Sequence, residues 1–270
     1  MKFLITNADD YGYKEEVSRA IIDCHKSGIL TSTTALVNFI SNEEISMAKA
    51  SPTLGLGLHI NLADGNPVSH NWIQKYGSFT HPKRNDNAVY DQAEWERQFL
   101  KIQITDIEEE INAQYNRFVE VFNKKPTHLD THYFTSGVSI VFEAFLDLAK
   151  KYNLPVRHPM FFKNESKLLS AEVEVDKTQL DKIKEEGVRV VNYYSPESLI
   201  LCTDPFVVIE SEVAKILEGQ TLEISFHPGY GEKWREDYNK ILLDAKFANI
   251  IRANDIKLVN YAEFAESSKS

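Results

Sequence analysis

The chain is poor in cysteine, in clustered positive charge and in long apolar runs, and each shortage excludes a class of protein. Its 270 residues contain two cysteines, Cys24 and Cys202, each inside an apolar stretch. We therefore expect buried free thiols rather than a disulfide framework, which suits a reducing cytoplasm. The formal net charge is -10 and the basic residues are scattered. Because phosphate backbones are bound by clustered Lys and Arg, nucleic acid is not expected as a partner.

Signals for membranes and for phosphate binding are also missing. No stretch approaches the roughly 18 consecutive apolar residues of a membrane-spanning helix. The first apolar run, Phe3-Leu4-Ile5, is too short for a signal peptide. We expect a cytoplasmic protein without a membrane partner. The chain also has no Gly-rich phosphate loop, no internal repeat and no low-complexity tract.

What the chain does have is a regular alternation of strand-like and helical patterns. Short apolar, β-branched runs predict strands, and apolar residues at helical spacing predict helices between them. The predicted strands are residues 2–8, 31–37, 54–62, 127–133, 155–158, 188–193, 222–226 and 256–261. The first predicted helix has Val17, Ala20, Ile21 and Cys24 at helical spacing and ends at Gly28. The other predicted helices are residues 42–50, 91–123, 139–152, 207–217 and 234–254.

This alternation predicts an α/β fold with a parallel sheet, and seven or eight strands favour an irregular barrel over an open sheet. The 43% of apolar residues can form a sizeable core. We predict one domain over residues 1–270, with a long loop insertion around residues 63–90.

Acidic and histidine residues lie at the ends of several short apolar runs. Three clusters stand out, and a fourth strand end adds His227. Since α/β folds build their sites at the carboxyl edge of the strands, we expect these clusters to meet. The clusters are Asn7-Ala8-Asp9-Asp10-Tyr11-Gly12, Gly57-Leu58-His59, His128-Leu129-Asp130-Thr131-His132 and Ser225-Phe226-His227-Pro228-Gly229-Tyr230.

The third cluster offers more groups than one ion can take. In a strand, His128 and His132 would lie roughly 13 Å apart, whereas imidazole nitrogens lie about 2 Å from a bound metal. His132 is nearer the end of its strand, so we predict it as the ligand and place His128 in the interior or in a supporting role. Asp130 is expected to hold an imidazole by its other nitrogen.

The two adjacent carboxylates are expected to have different tasks. One of Asp9 and Asp10 can coordinate the ion while the other accepts a proton from water. With His59 and His132, a carboxylate forms a set of two histidines and one acid that leaves positions open for water and substrate, as catalytic sites do. His227 could protonate a leaving group. This donor set suits zinc, cobalt or manganese better than magnesium.

These segments resemble the YdjC-like carbohydrate deacetylases, which include the diacetylchitobiose or chitooligosaccharide deacetylases. The matching segments, in order and spacing, are residues 7–12, 31–38, 57–59, 125–132 and 227–230. The resemblance implies a distorted (β/α) TIM-like barrel, often dimeric, that removes the N-acetyl group from an acetylated amino sugar or short oligosaccharide. It implies one divalent metal ion, and it adds magnesium to the zinc, cobalt and manganese that the donor set favours.

Carried over by position, the resemblance assigns a role to each of the main candidates. Asp10, His59 and His132 would hold the ion, Asp9 would be the general base and His227 the general acid. A basic residue near the fifth strand is common in such sites, and Arg157 takes that place in this chain. Relatives often continue the third cluster with further histidines, where this chain has Tyr133 and Phe134.

Two other functions compete with deacetylation, and each residue also has an ordinary structural interpretation. The alternatives are a non-catalytic sugar-binding relative and a metal-dependent sugar-phosphate isomerase or phosphoesterase. An Asp pair before Gly is commonly a turn, and a lone His is commonly structural; recurrence at four strand ends favours a site. Aromatic residues able to stack on sugar rings are Tyr11, Trp72, Tyr76 and Tyr133. We assign no site role to His25, His70, His81, His158 or the run Glu108-Glu109-Glu110, which we interpret as a solvated helix face.

Overall fold

A computed structural model of the chain describes residues 1–79, 92–162, 173–195 and 204–267. In chain order the elements of these residues are β1 (Lys2–Tyr11), α1 (Glu15–Ser27), β2 (Ser32–Ala35), α2 (Asn42–Lys49), β3 (Gly55–Ile60), α3 (His70–Tyr76), α4 (Gln92–Phe99), α5 (Ile104–Phe122), β4 (Leu129–Thr131), a 3₁₀ turn (His132–Gly137), α6 (Ser139–Tyr152), β5 (Met160–Phe162), β6 (Val173–Val175), α7 (Lys177–Glu185), β7 (Tyr193–Ser195), α8 (Pro205–Ala214), β8 (Thr221–Phe226), α9 (Lys233–Leu243), α10 (Ala245–Ala253), β9 (Ile256–Leu258) and α11 (Tyr261–Ser267).

The chain divides into two compact units. The terminal unit comprises Met1–Gly57 and Val191–Ser270, and the central unit comprises Leu58–Val190. The division falls within β3. The prediction of one domain stays a prediction.

In the terminal unit, β1 is the central strand of a parallel sheet. It pairs with β9 through its first residues, with β2 through its last, and with β8 from Phe3 to Ala8; β7 pairs with the other side of β8. Eight consecutive residues of β1 are buried. A strand buried on both faces is typical of a parallel sheet covered by helices. The carboxyl end of β1 is therefore held in the buried interior of this unit.

In the central unit, the second half of β3 pairs in parallel with β4, and bridges run from Leu129 to Val156 and on to Val190. The strand predicted at residues 155–158 is thus a single bridge residue. A short antiparallel pair, β5 with β6, was not predicted. The apolar faces of α5 and α6 meet in this unit, where the rings of Tyr115 and Tyr152 stack with centroids 3.7 Å apart.

The predicted fold class is confirmed, because parallel strands alternate with helices along the described chain. The prediction of helices at residues 42–50 and 139–152 matches α2 and α6. The long helical pattern predicted at residues 91–123 contains two helices, α4 and α5. The strand predicted at residues 127–133 ends early, because the chain leaves the sheet after Thr131 and forms a 3₁₀ turn.

The predicted loop at residues 63–90 contains a helix, α3. Ser69 caps its first turn by accepting a hydrogen bond from the Trp72 amide. Glu110 on α5, which we interpreted as solvated, is fully buried and accepts hydrogen bonds from the amides of Val68 and Ser69. The start of α3 is fixed by Glu110, a distant residue on α5. Helical spacing within the segment was therefore not enough to predict α3. Residues 80–90 of the predicted loop, with His81, lie outside the described residues.

The prediction of a buried thiol is confirmed for Cys24, which is 1% exposed. Burial raises the pKa of this thiol to about 12, and nearby Asp23 adds to the rise. A thiol with so high a pKa is inert at neutral pH. Cys202 lies outside the described residues. Within the described ranges, no helix is both long and apolar enough to cross a bilayer.

His158 is expected to make stability depend on pH. Burial lowers its pKa from 6.5 to about 4, so between these values the unfolded chain binds a proton that the folded chain does not. The free energy of unfolding therefore falls as pH decreases through this window, by about 2 kcal/mol from this group between pH 7 and pH 5. His158→Gln cannot titrate at this position. Measured by urea unfolding, its free energy of unfolding should fall less than that of wild type between pH 7 and pH 5. Equal losses in both proteins would contradict this.

Candidate functional site

The carboxyl end of β1 carries two buried carboxylates. Asp9 is 4% exposed and Asp10 is 2% exposed. The register of β1 with β2 shifts between Ala8 and Tyr11, and Asp10 has a φ of 71°. Asp tolerates this left-handed conformation better than most residues. This irregularity moves Asp10 off the regular alternation of the strand.

His227 lies beside these carboxylates within the terminal unit. Ala8 of β1 is paired with Phe226 of β8, so Asp9 and His227 are the next residues of two adjacent parallel strands. The Nε2 atom of His227 is 3.8 Å from Oδ2 of Asp10 and 4.0 Å from Oδ2 of Asp9. The His227 side chain is 18% exposed, whereas both acids are nearly buried. The His227 imidazole is therefore accessible to a bound molecule, whereas the Asp9 and Asp10 carboxylates beside it are buried.

Each carboxylate also has a hydrogen-bond donor of its own. The Asn7 side-chain amide donates to Oδ1 of Asp9 at 2.9 Å. Arg235 of α9 donates from Nη2 to Oδ2 of Asp10 at 2.8 Å. Sequence reasoning missed Arg235. Its signal was an arginine on the buried face of α9, at helical spacing with Tyr238, Asn239 and Leu242.

In the central unit, strand register places His59 next to Asp130. The two residues are paired across β3 and β4. Nδ1 of His59 lies 2.6 Å from Oδ1 of Asp130, and Nη1 of Arg157 lies 2.9 Å from the other oxygen, Oδ2. All three side chains are nearly fully buried. A carboxylate paired with a guanidinium accepts hydrogen bonds, so Nδ1 of His59 carries the proton and Nε2 offers a lone pair.

The Nε2 atom of His59 faces a second imidazole. Nδ1 of His132 lies 3.2 Å from it, and both rings are buried. In the absence of an ion, such a pair forms a hydrogen bond with His132 as the donor. Two nitrogens that each lie about 2.1 Å from one tetrahedral ion would be about 3.4 Å apart. The two imidazoles are therefore spaced and buried as a pair of metal ligands would be.

The chain turns sharply after His132. Tyr133 and Phe134 both adopt left-handed conformations, with φ of 55° and 51°, and they form a kink inside the 3₁₀ turn. Consecutive residues of this kind store strain that is typical of functional sites. The Tyr133 ring lies 4.2 Å from the His132 ring and 6.5 Å from Trp95, measured between centroids. Tyr133 is half-buried beside these two rings.

Other candidate residues have structural roles. Tyr11 is fully buried and donates its hydroxyl to the Glu44 carbonyl, and Trp72 is 3% exposed, so neither offers a ring face to a sugar. Tyr76 donates to Asp106. His128 is fully buried, as predicted for the interior, and its Nδ1 lies 2.9 Å from the Thr127 hydroxyl.

Fold and side chains define the class of this chain: an α/β protein with buried acid and histidine groups at the carboxyl ends of parallel strands, as α/β enzymes have. The chain belongs to the family described as YdjC-like protein, which matches residues 3–269. Carbohydrate deacetylase of Thermoanaerobacter pseudethanolicus is 31% identical over 97% of this chain and 99% of its own length. Chitooligosaccharide deacetylase of Proteus mirabilis is 36% identical over 57% of this chain and 58% of its own length.

Two solved structures share the fold. One, described as a putative cellobiose-phosphate cleavage protein of Enterococcus faecalis, superimposes with a TM-score of 0.77 at 26% identity, covering 97% of this chain and 98% of its own. The other is the Xyl-CE4 domain of a multidomain xylanase from the hindgut metagenome of Trinervitermes trinervoides, with a TM-score of 0.51 at 7% identity, covering 99% of this chain and 91% of its own. The second likeness concerns the fold alone.

Proposed function

We propose that this protein is a metal-dependent carbohydrate deacetylase that hydrolyses the acetamido group of an acetylated amino sugar or short oligosaccharide. The observation that carries the proposal is the His59–His132 pair, whose facing nitrogens are 3.2 Å apart with Asp130 behind the first ring. Relatives named carbohydrate deacetylase, matched over nearly the whole chain, support a carbohydrate as the substrate class.

The residues fit a divalent metal ion. Asp10, His59 and His132 are each buried, and each offers a ligand atom of a kind that such ions bind. We assign these three as the ligands, with Asp130 and Arg157 as their support. Bound there, the ion would polarise the amide carbonyl and favour ionisation of the attacking water.

Asp9 is the proposed general base. Asn7 fixes one of its oxygens, and burial keeps bulk water from competing for the other. The attacking water gives a proton to Asp9 as its oxygen bonds to the amide carbon. His227, more exposed than either acid, gives a proton to the sugar nitrogen as the C–N bond breaks. The products are acetic acid, which ionises to acetate, and the free amino sugar. Asp9 returns its proton to solvent and His227 takes one up, so one water is consumed and both residues regain their starting protonation states.

Tyr133 is the proposed contact for the sugar ring. It follows ligand His132 directly, and its strained conformation holds an aromatic face beside the proposed reaction centre. Sugars present apolar C–H faces that pack on such rings. Relatives with histidine at this position would offer a more polar surface, so Tyr133 is a candidate for this chain's preference among acetylated sugars. A homodimer and a cytoplasmic location stay predictions.

The deacetylase proposal predicts metal-dependent release of acetate. Protein stripped by chelator should release no acetate from N-acetylglucosamine or from short chitooligosaccharides, and one of zinc, cobalt, manganese or magnesium should restore release. Two imidazoles and one carboxylate favour the first three ions over magnesium. Acetate and free amine should appear in equal amounts. A folded protein that binds metal and releases no acetate with any ion would contradict the proposal.

A phosphorylated disaccharide is the second candidate substrate. The relative from Enterococcus faecalis, which shares the fold over 97% of this chain, carries the name of a cellobiose-phosphate cleavage protein. The same assay with phosphorylated disaccharides, followed by detection of inorganic phosphate and of the released sugars, distinguishes this candidate from acetate release.

A further inference from the structure

We infer that Arg235 is a positioning residue that orients the Asp10 carboxylate and joins it to the segment carrying His227. The inference deepens the proposed function and rests on it for the role of Asp10. Arg235 lies outside all five segments that carry the family resemblance.

Arg235 is a buried cation with a buried acid as its partner. The residue is 5% exposed, and its Nη2 donates to Oδ2 of Asp10 at 2.8 Å, while Nε lies 3.9 Å from Glu232. Burying a guanidinium is costly unless a carboxylate is paired with it. The Arg235–Asp10 contact links residues 225 positions apart, so it forms only in the folded protein.

The geometry limits how Asp10 can move. Arg235 occupies one of the two carboxylate oxygens and thereby fixes the rotation of the group. Asp10 already has a constrained backbone, with a φ of 71°. A ligand that is oriented before the ion arrives loses less conformational freedom on binding. The positive charge of Arg235 repels the ion and thus works against this gain. Metal affinity of Arg235 variants measures which of the two effects is larger.

The first two turns of α9 also contact the segment that follows His227. The Arg235 stem passes so close to Gly229 that a Cβ built there would lie 2.6 Å from Cδ of Arg235. Asn239, one turn later, donates to the Gly229 carbonyl and accepts from the Gly229 amide. Trp234 packs its ring 4.3 Å from the Arg235 guanidinium and 6.1 Å from the His227 ring. Side chains of one helix, α9, therefore contact both the proposed ligand Asp10 and the segment that carries the proposed acid His227.

Three variants test this inference. Arg235→Met keeps the apolar stem and removes the donor, Arg235→Gln keeps a neutral donor, and Arg235→Lys keeps the charge. Lys240→Met on the same helix, where the side chain is 69% exposed, is the control. Calorimetric titration of chelator-stripped protein with zinc or manganese reports metal affinity without any substrate. Thermal unfolding of the stripped proteins reports whether each variant is folded.

We expect metal affinity about 10- to 100-fold weaker in the Met and Gln variants, as for other groups that hydrogen-bond to metal ligands, with partial recovery in the Lys variant and none of these effects in the control. In acetate release, kcat should fall and KM should change little. Wild-type or tighter metal affinity in a folded Met or Gln variant would overturn the inference. It would also be overturned if the Lys variant bound metal no more tightly than the Met and Gln variants. If wild type binds metal but releases no acetate, the proposed function fails, while the affinities still decide the role of Arg235.

Discussion

Asp9→Asn is expected to reduce kcat for acetate release by about a thousandfold, within the range of general acid–base catalysis, and to leave metal affinity near that of wild type. Asparagine has nearly the shape of aspartate, and its side-chain oxygen can still accept the hydrogen bond from Asn7. Its amide cannot accept a proton from the attacking water. Rates at saturating substrate and metal titration of the stripped protein give the two readouts.

Asp181→Asn makes the same chemical change at an exposed position of α7 and should match wild type in both measurements. The two outcomes that contradict the assignment of Asp9 differ in meaning. Full activity would remove Asp9 from the reaction. A protein that no longer binds metal would instead make Asp9 a ligand and reopen the division of roles between Asp9 and Asp10.

His59→Ala is expected to weaken metal binding by several orders of magnitude and to abolish acetate release. The variant removes the imidazole whose Nδ1 is held by Asp130 at 2.6 Å and whose Nε2 faces His132 at 3.2 Å. It also leaves the buried Asp130–Arg157 pair without one partner, so we expect some loss of stability. Metal titration of stripped protein is the primary measurement, and thermal unfolding shows whether the variant is folded.

His70→Ala, at an exposed position at the start of α3, is the matched control and should keep wild-type metal affinity. Undiminished metal binding by folded His59→Ala would show that the imidazole pair is an ordinary buried hydrogen bond. In that case the proposal of a metal at His59 and His132 would be withdrawn, although the chain would remain a member of its family.

Several of the longer helices and strands follow from local sequence patterns. The helix predicted at residues 139–152 coincides with α6, because its apolar residues recur at helical spacing and α6 needs no distant partner to define it. The strand predicted at residues 222–226 is nearly β8 for a similar reason, since Leu222, Ile224 and Phe226 recur at the two-residue spacing of a strand. Short elements fared worse. The antiparallel pair of β5 and β6 and the helix α3 depend on distant neighbours.

The same distinction applies to the candidate site. Position after a strand was enough to select Asp9, Asp10 and His227 in the terminal unit, and the strand register then brings them to neighbouring positions. Likewise, the prediction that Asp130 would lie behind an imidazole depended on residue type and spacing, and the β3–β4 register decides that the imidazole belongs to His59. The roles of these residues stay predictions until the variants are measured.

By itself, the sequence determined the α/β class, the main helices, the family and the candidate residues, because periodicity, residue type and motif order are local properties of the chain. Only the tertiary structure decided the bulge at Asp10, the left-handed pair Tyr133 and Phe134, and the burial of Arg235 and Glu110. These features depend on partners far along the chain, such as Asp10 for Arg235. A charged residue on a helix can be exposed or can neutralise a buried group, and the choice depends on whether the fold brings it an opposite charge.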